Sequence, residues 1–355
     1  MLRKVDDTRR RMSVYARISK REFNEIAAEY GLPRVSGVRE AIDSAVAQYV
    51  LETPKGKYLL RTDAVRSEME VKRELDFLIF LRKHGFPCFL PLADRRGRHY
   101  REWGGKALSI YRYVDCHSVD PEDMTPGQLE NVGRVLADLH LIGKAYKKGV
   151  DNRFGFERVA EIYRDARGRL PHYFKRIIRT LDEELEYLNH YLEAKLPKGI
   201  IHGDLFPEKM RFKGDKIVLL LEFDCAARGK FIYDLANAVN VLCFEDGRYG
   251  LKKFEALVSG YEALRTLSLA EWDAFPNELR FSAFRFATTR LRDFFRTPPE
   301  ERDRVNREFH DFYERLRILR REREGGMEPM LMAMATGYDY RKYQRVKAFE
   351  KRGGR

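Results

Sequence analysis

Long apolar runs are missing from this chain. None approaches the ~20 residues that a helix needs to span a bilayer, so no membrane-spanning helix is expected. Cysteine is scarce, with four in 355 residues. Cys88, Cys116, Cys225 and Cys243 lie far apart and make no C-x-x-C pair. That spread excludes a disulfide framework, a structural metal and a dithiol redox motif, and fits free thiols in a reducing compartment. The opening stretch "MLRKVDDTRRRMSVY" has no apolar core and no small-residue cleavage site behind it. It reads as a start without a secretory signal, and the expected location is cytoplasmic. Internal repeats and low-complexity tracts are absent too.

Acidic residues fall short of basic ones, 55 against 68, for a net charge of +13. Much of the excess sits near the ends, in "RRRM" and "YDYRKYQRVKAFEKRGGR". Between them, bases alternate with acids as on ordinary solvated helix faces. Attraction to an anionic nucleotide explains the balance as well as a dedicated nucleic-acid surface does, so a nucleic-acid partner is not expected. What is plentiful is core material: 44% hydrophobic and 12% aromatic residues, enough for two lobes with their own interiors.

The hydrophobic pattern divides the chain. "SKREFNEIAAEYGLP" is a helix behind a serine cap, ended by "GLP". "SAVAQYVLET", the turn "PKGK" and "KYLLRTD" form two strands of a hairpin. "RSEMEVKRELDFLIFLRKHG" is a long amphipathic helix stopped by Gly85, and short strands with an "RRGR" turn follow. Beyond the polar connector "DCHSVDPEDMT" helices dominate, interrupted by the buried strand "KGIIHGD" and the hairpin "MRFKGDKIVLLLEF". The fold class is therefore α+β. A basic extension (1–14) precedes an antiparallel-sheet lobe with one long helix (15–110), a mainly helical lobe (111–320) and a basic, methionine-rich appendage (321–355).

The chemistry concentrates between residues 201 and 223. An apolar strand delivers His202-Gly203-Asp204 to a tight loop, and the hairpin delivers Glu222 to the same end. Phosphoryl transfer needs a carboxylate at the attacking hydroxyl and cationic groups over the phosphate oxygens. Asp204 is placed to be the first, and Glu222 to hold a metal ion. His202 and Asp234 read as braces of this loop, and His140 as a satisfied helix histidine.

The stretch "HGDLFPEKMRFKGDKIVLLLEFDCAARGKFIYDLANAVNVLC" resembles the catalytic core of homoserine kinases in the choline kinase and aminoglycoside phosphotransferase superfamily. "QYVLETPKGKYLLR", "GRVLADLHLIG" and "LRFSAFRFATTRLRDF" carry the likeness from about residue 15 to 320. The resemblance implies a bilobal protein-kinase-like fold with ATP between the lobes. It implies an ATP-dependent phosphotransferase acting on a small hydroxyl compound, homoserine-like at its simplest. By the same likeness Arg61 holds phosphates and Glu74 is its helix partner. "LSIYRYV", with Ser109, Tyr111 and Tyr113, is the hinge facing adenine, and Asp204 is the catalytic aspartate.

Four positions depart from the pattern. Lys209 stands where a magnesium-binding asparagine is expected, and an ammonium has no lone pair for a metal. It can instead neutralise phosphate or pair with Glu222. Glu222 replaces an aspartate, keeping one magnesium site plausible and a second doubtful. "AVAQ" lacks a hydroxyl donor around Ala47, and Gly229 stands where an aspartate is frequent. These changes also suit a pseudokinase, a nucleotide- or partner-binding module without efficient transfer. A third, weaker reading is an interaction protein whose basic ends contact nucleic acid. Arg285 and Arg292, seven residues apart on one helix face, are candidates for gripping an acidic acceptor. Solvent exposure is the competing account of both, and of Arg290 beside them.

Overall fold

The computed structural model describes residues 18–41, 47–63, 68–103, 106–171 and 174–324. The expected extension over 1–14, the alanine and valine at 45 and 46, and the appendage beyond 324 lie outside these residues. Internal packing divides the chain after His117 into two units.

The first unit opens with α1 (Lys20–Glu29). Ser19 caps it by accepting from the Glu22 N–H, while Glu22 reaches back to the Ser19 N–H. This reciprocal box satisfies two amide donors that a helix start leaves unpaired. The sheet holds β1 (Gly37–Ala41), β2 (Ala47–Thr53), β3 (Gly56–Asp63), β4 (Arg101–Trp103) and β5 (Lys106–Arg112). The order is β1-β2-β3-β5-β4, antiparallel throughout. Strand alternation sends Tyr49, Leu51, Leu60, Leu108 and Ile110 to one face, where Phe23 and Ile26 of α1 cover them. Gly56 makes the β2–β3 turn possible, because its φ of 120° is closed to side chains. Between β3 and β4 lies α2 (Glu68–Lys83), with Val71, Phe77, Leu78 and Leu81 buried at helical spacing. The cap, the hairpin and both helices match the sequence expectation. The strand β1, "GVREA", was not anticipated.

In the second unit, α3 (Pro126–Ala145) packs on β6 (Lys198–Ile201) and on a later helix, while α4 (Phe156–Arg167) and α5 (Lys175–Tyr191) pack against the long penultimate helix. The hairpin is β7 (Met210–Lys213) with β8 (Lys216–Leu220), and β9 (Ala227–Lys230) pairs antiparallel with β6. Next comes α6 (Phe231–Leu242), all twelve residues of which are buried, as in a helix enclosed on every side. A small ribbon of β10 (Phe244–Glu245) and β11 (Arg248–Tyr249) precedes α7 (Leu251–Glu262), α8 (Leu269–Arg296) and α9 (Arg302–Glu324). The contact of α3 with α7 is made by glycines. A Cβ on Gly133 would meet the Leu257 carbonyl at 2.0 Å, and one on Gly260 the Glu130 carbonyl at 1.9 Å.

Gly229 has a packing reason to be glycine. It faces Gly199 across the β6–β9 pair, and a Cβ there would lie 2.3 Å from the Ile201 methyl. None of the four cysteines forms a disulfide; Cys88, Cys225 and Cys243 are buried and Cys116 is half-buried. Among the described residues, no helix is long and apolar enough to cross a membrane.

Candidate active site

The loop after β6 is held from below by a buried carboxylate. Asp234, near the start of α6 and fully enclosed, accepts the His202 N–H at 2.7 Å and the Gly203 N–H at 2.8 Å. Gly203 turns with φ 76°, and its open side faces the Cys225 carbonyl, which a Cβ would meet at 2.9 Å. Two backbone donors on one carboxylate fix the chain at 202–203 and with it the direction of residue 204.

Two histidines complete the brace, and both fit the neutral form. His140 accepts at Nδ1 from the Tyr261 hydroxyl at 2.7 Å and donates from Nε2 to Asp234 at 3.2 Å. His202 donates from Nε2 to the Leu221 carbonyl at 3.0 Å, and its Nδ1 accepts the Asp204 N–H at 3.3 Å. These tautomers are assigned from the partners. Burial drives both imidazoles below their ordinary pKa. Burial also opposes the charge on Asp234, but hydrogen bonds from His140 and the loop amides outweigh it and hold the carboxyl below its usual range. The bracing roles expected for His202 and Asp234 are the ones observed, and His140, expected as a satisfied helix histidine, is satisfied by Tyr261 and by Asp234 itself.

Asp204 itself meets two cations. The Arg285 guanidinium, 2% exposed on α8, reaches one carboxylate oxygen at 3.0 Å, and the Lys209 ammonium pairs with the other. Burial would raise the Asp204 pKa, but Arg285 and Lys209 dominate and hold it far below the usual carboxylate range. Burial likewise opposes the charge on Lys209, and Asp204 overrides it, so the ammonium is held protonated. Phe154 and Phe286 sandwich the Arg285 guanidinium, with centroids 4.2 and 3.8 Å from its carbon. Its burial removes solvent exposure, the competing account of this arginine.

Lys209 also lies 3.8 Å from Glu222. The expected Lys209–Glu222 pair is therefore present, but Asp204 is the closer partner. Glu222 follows β8 at φ 58° and ψ 68°, a left-handed conformation that side chains adopt at a cost. Past it, Arg153 donates to the Asp224 carboxylate at 2.9 Å and to the Cys225 sulfur at 3.3 Å. Burial pushes the Cys225 thiol up to about 11. Arg153 and Asp224 were not picked out from the sequence. Asp224 had a signal, a second carboxylate two residues after Glu222; Arg153, in a polar loop, had none.

The structure thus brings Asp204, Lys209, Glu222 and Arg285 together. Arg292 pairs with its neighbour Asp293, and Arg290 with Glu308. Arg61, Glu74, Ser109, Tyr111 and Tyr113 belong to the first unit. There Arg61 on β3 is in register with Ser109 on β5, Glu74 lies on α2, and the Tyr113 N–H bonds the Lys57 carbonyl.

The donor set does not fit a divalent ion at position 209. A protonated amine has no lone pair to offer, and it lies against the carboxylate oxygens that would remain as ligands. Among the described residues, no group of three or more His, Cys, Asp or Glu side chains converges as a metal cage.

The sequence profile of the phosphotransferase enzyme family matches residues 40–267. The homoserine kinase of Caulobacter sp. (strain K31) is 32% identical over 297 residues, covering 81% of this chain and 90% of that protein. The homoserine kinase of Rhizobium meliloti (strain 1021) is 30% identical over 296 residues, covering 81% and 89%. Among solved structures, a microcompartment-associated aminopropanol kinase superposes with a TM-score of 0.66 at 17% identity, covering 86% of this chain and 98% of that one. An amicoumacin kinase superposes at 0.64 and 18% identity, covering 88% and 96%. These likenesses carry the bilobal kinase-like fold.

Proposed function

Because the chain belongs to the phosphotransferase enzyme family, we propose that it transfers the γ-phosphoryl group of ATP to the hydroxyl of a small molecule. The supporting observation is Asp204, projected by a braced loop and flanked by two fixed cations. ATP enters as its magnesium complex, which is substrate here. The acceptor class is an amino-alcohol or hydroxy-acid of about homoserine size, in line with the homoserine kinases it resembles.

A carboxylate offers about four lone-pair positions. Lys209 and Arg285 engage one oxygen each, so positions remain for a hydroxyl hydrogen. Asp204 orients that hydroxyl toward phosphorus. Being a weak base, it takes the proton late, as the new O–P bond forms and the hydroxyl becomes acidic. Phosphoryl transfer proceeds through a loose transition state that asks more for alignment and charge than for early deprotonation. Lys209 and Arg285 supply positive charge beside the transferring group. Arg61 and the hinge residues Ser109, Tyr111 and Tyr113 are assigned to the nucleotide, with Glu74 orienting Arg61.

The test is ADP release from Mg·ATP with a panel of amino-alcohols and hydroxy-acids. An acceptor-dependent rate should fall about 10²–10⁴-fold in Asp204→Asn, which keeps the shape and removes the charge. Equal turnover in that variant refutes the assignment.

A further inference from the structure

Two carboxylates that converge from different elements make a natural divalent-cation site, and magnesium is commonly held by one or two of them beside phosphates. Asp204 and Glu222 converge in this way, from the loop after β6 and from the exit of β8. The point they share is taken by a side chain of the same molecule. The Lys209 nitrogen pairs with Asp204 and lies 3.8 Å from Glu222, and its side chain is only 7% exposed.

The backbone delivers this ammonium rigidly. Lys209 closes the short turn Pro207–Lys209, with its N–H on the Phe206 carbonyl at 3.0 Å. Its own carbonyl accepts the Leu221 N–H at 2.9 Å, tying it to the residue just before Glu222. The amine and both carboxylates therefore sit in one hydrogen-bonded frame. A lysine on a loose loop would exchange easily with an incoming ion; this one is built in.

We propose that Lys209 is a resident cation that replaces a divalent ion between Asp204 and Glu222, so that this site works with one metal ion fewer than its carboxylates could hold. Its part in phosphate transfer rests on the function proposed above; its occupancy of the cation position does not. An ammonium brings one positive charge where an ion would bring two, and it neither needs loading nor leaves with product. Free magnesium beyond that bound to ATP should therefore neither activate the protein nor bind at this position.

The experiment counts Mn2+ bound per chain by electron paramagnetic resonance, with and without a non-hydrolysable ATP analogue. The native chain should bind none without nucleotide and one with it, the ion the nucleotide carries. Lys209→Asn, which supplies an amide oxygen, should bind one ion more in either condition. Lys209→Met, which removes the amine without adding a ligand, should gain the same ion more weakly. Two ions on the native chain with nucleotide, one without it, or equal counts in the native chain and both variants overturn the proposal. Should neither variant fold, the native counts alone decide it. A chain that binds no nucleotide and transfers no phosphate would refute the proposed function, while the nucleotide-free difference between native and Lys209→Asn still reads the cation assignment.

Discussion

Replacing Asp234 by asparagine tests the brace beneath the loop. In the native chain one oxygen accepts the His202 N–H at 2.7 Å and the other the Gly203 N–H at 2.8 Å, with the His140 imidazole at 3.2 Å from the first. An asparagine has a single carbonyl oxygen. Whichever way it turns, its NH2 group faces a backbone donor, and one amide is left unpaired at a position with no solvent. A hydrogen bond to a charged group contributes about 1.5–3 kcal/mol, and an unsatisfied buried donor costs about 1–3 kcal/mol more. The sum, about 2.5–6 kcal/mol, is a large share of the roughly 5–15 kcal/mol that a folded domain holds. Denaturant titration followed by circular dichroism should show the unfolding free energy fall by that amount, as a lower midpoint at an unchanged slope. Acceptor-dependent ADP release should fall as well, because residue 204 loses its fixed direction. A loss below about 1 kcal/mol with unchanged turnover would refute the claim that Asp234 holds the loop.

Two further outcomes follow. Gly229→Asp should cost about 1–3 kcal/mol through overpacking against Ile201; Ile201→Val, destabilising in the native chain, should be neutral or stabilising beside it, and simple additivity of the two would sink this account. Melting temperature should be flat above about pH 6.5 and fall below it, because His140 and His202 are buried with lowered pKa and the unfolded chain, with its ordinary histidines, takes up protons first. The carboxylates Asp204 and Asp234, also lowered, add stability that is lost only as the pH falls through and below about 4. A melting temperature that rises on acidification from pH 7 to 5.5 would contradict the sign.

The loop was legible because its signals are local. His202, Gly203 and Asp204 follow an apolar strand directly, and Asp234 opens a helix whose apolar neighbours announce burial. The β2–β3 hairpin and the capped helices carry their punctuation in the sequence. Other elements are defined by distant partners. The strand β9, "ARGK", alternates in burial over only four residues, carries no branched or aromatic side chain, and exists because β6 pairs with it. In α4 the buried Val159, Ala160, Tyr163 and Ala166 form an apolar stripe at helical spacing with charged residues opposite, a pattern that was legible in the sequence but not picked out from it. Spacing did place Arg285 and Arg292 on one helix face, and depth then separated them: Arg285 lies inside, whereas Arg292 sits where α8 emerges from the core and pairs with Asp293. Arg153 reached the site through a loop that no periodicity describes.

At Glu222 the main chain and the side chain want different things. Left-handed geometry penalises any residue with a Cβ by about 1 kcal/mol, and glycine would rest there more comfortably. The acid at that α-carbon is kept against the preference of its own backbone. A search for heat tolerance would find this position early, and each gain there would come from surrendering the negative partner that faces the built-in amine. Robustness and charge balance are traded against each other at one residue.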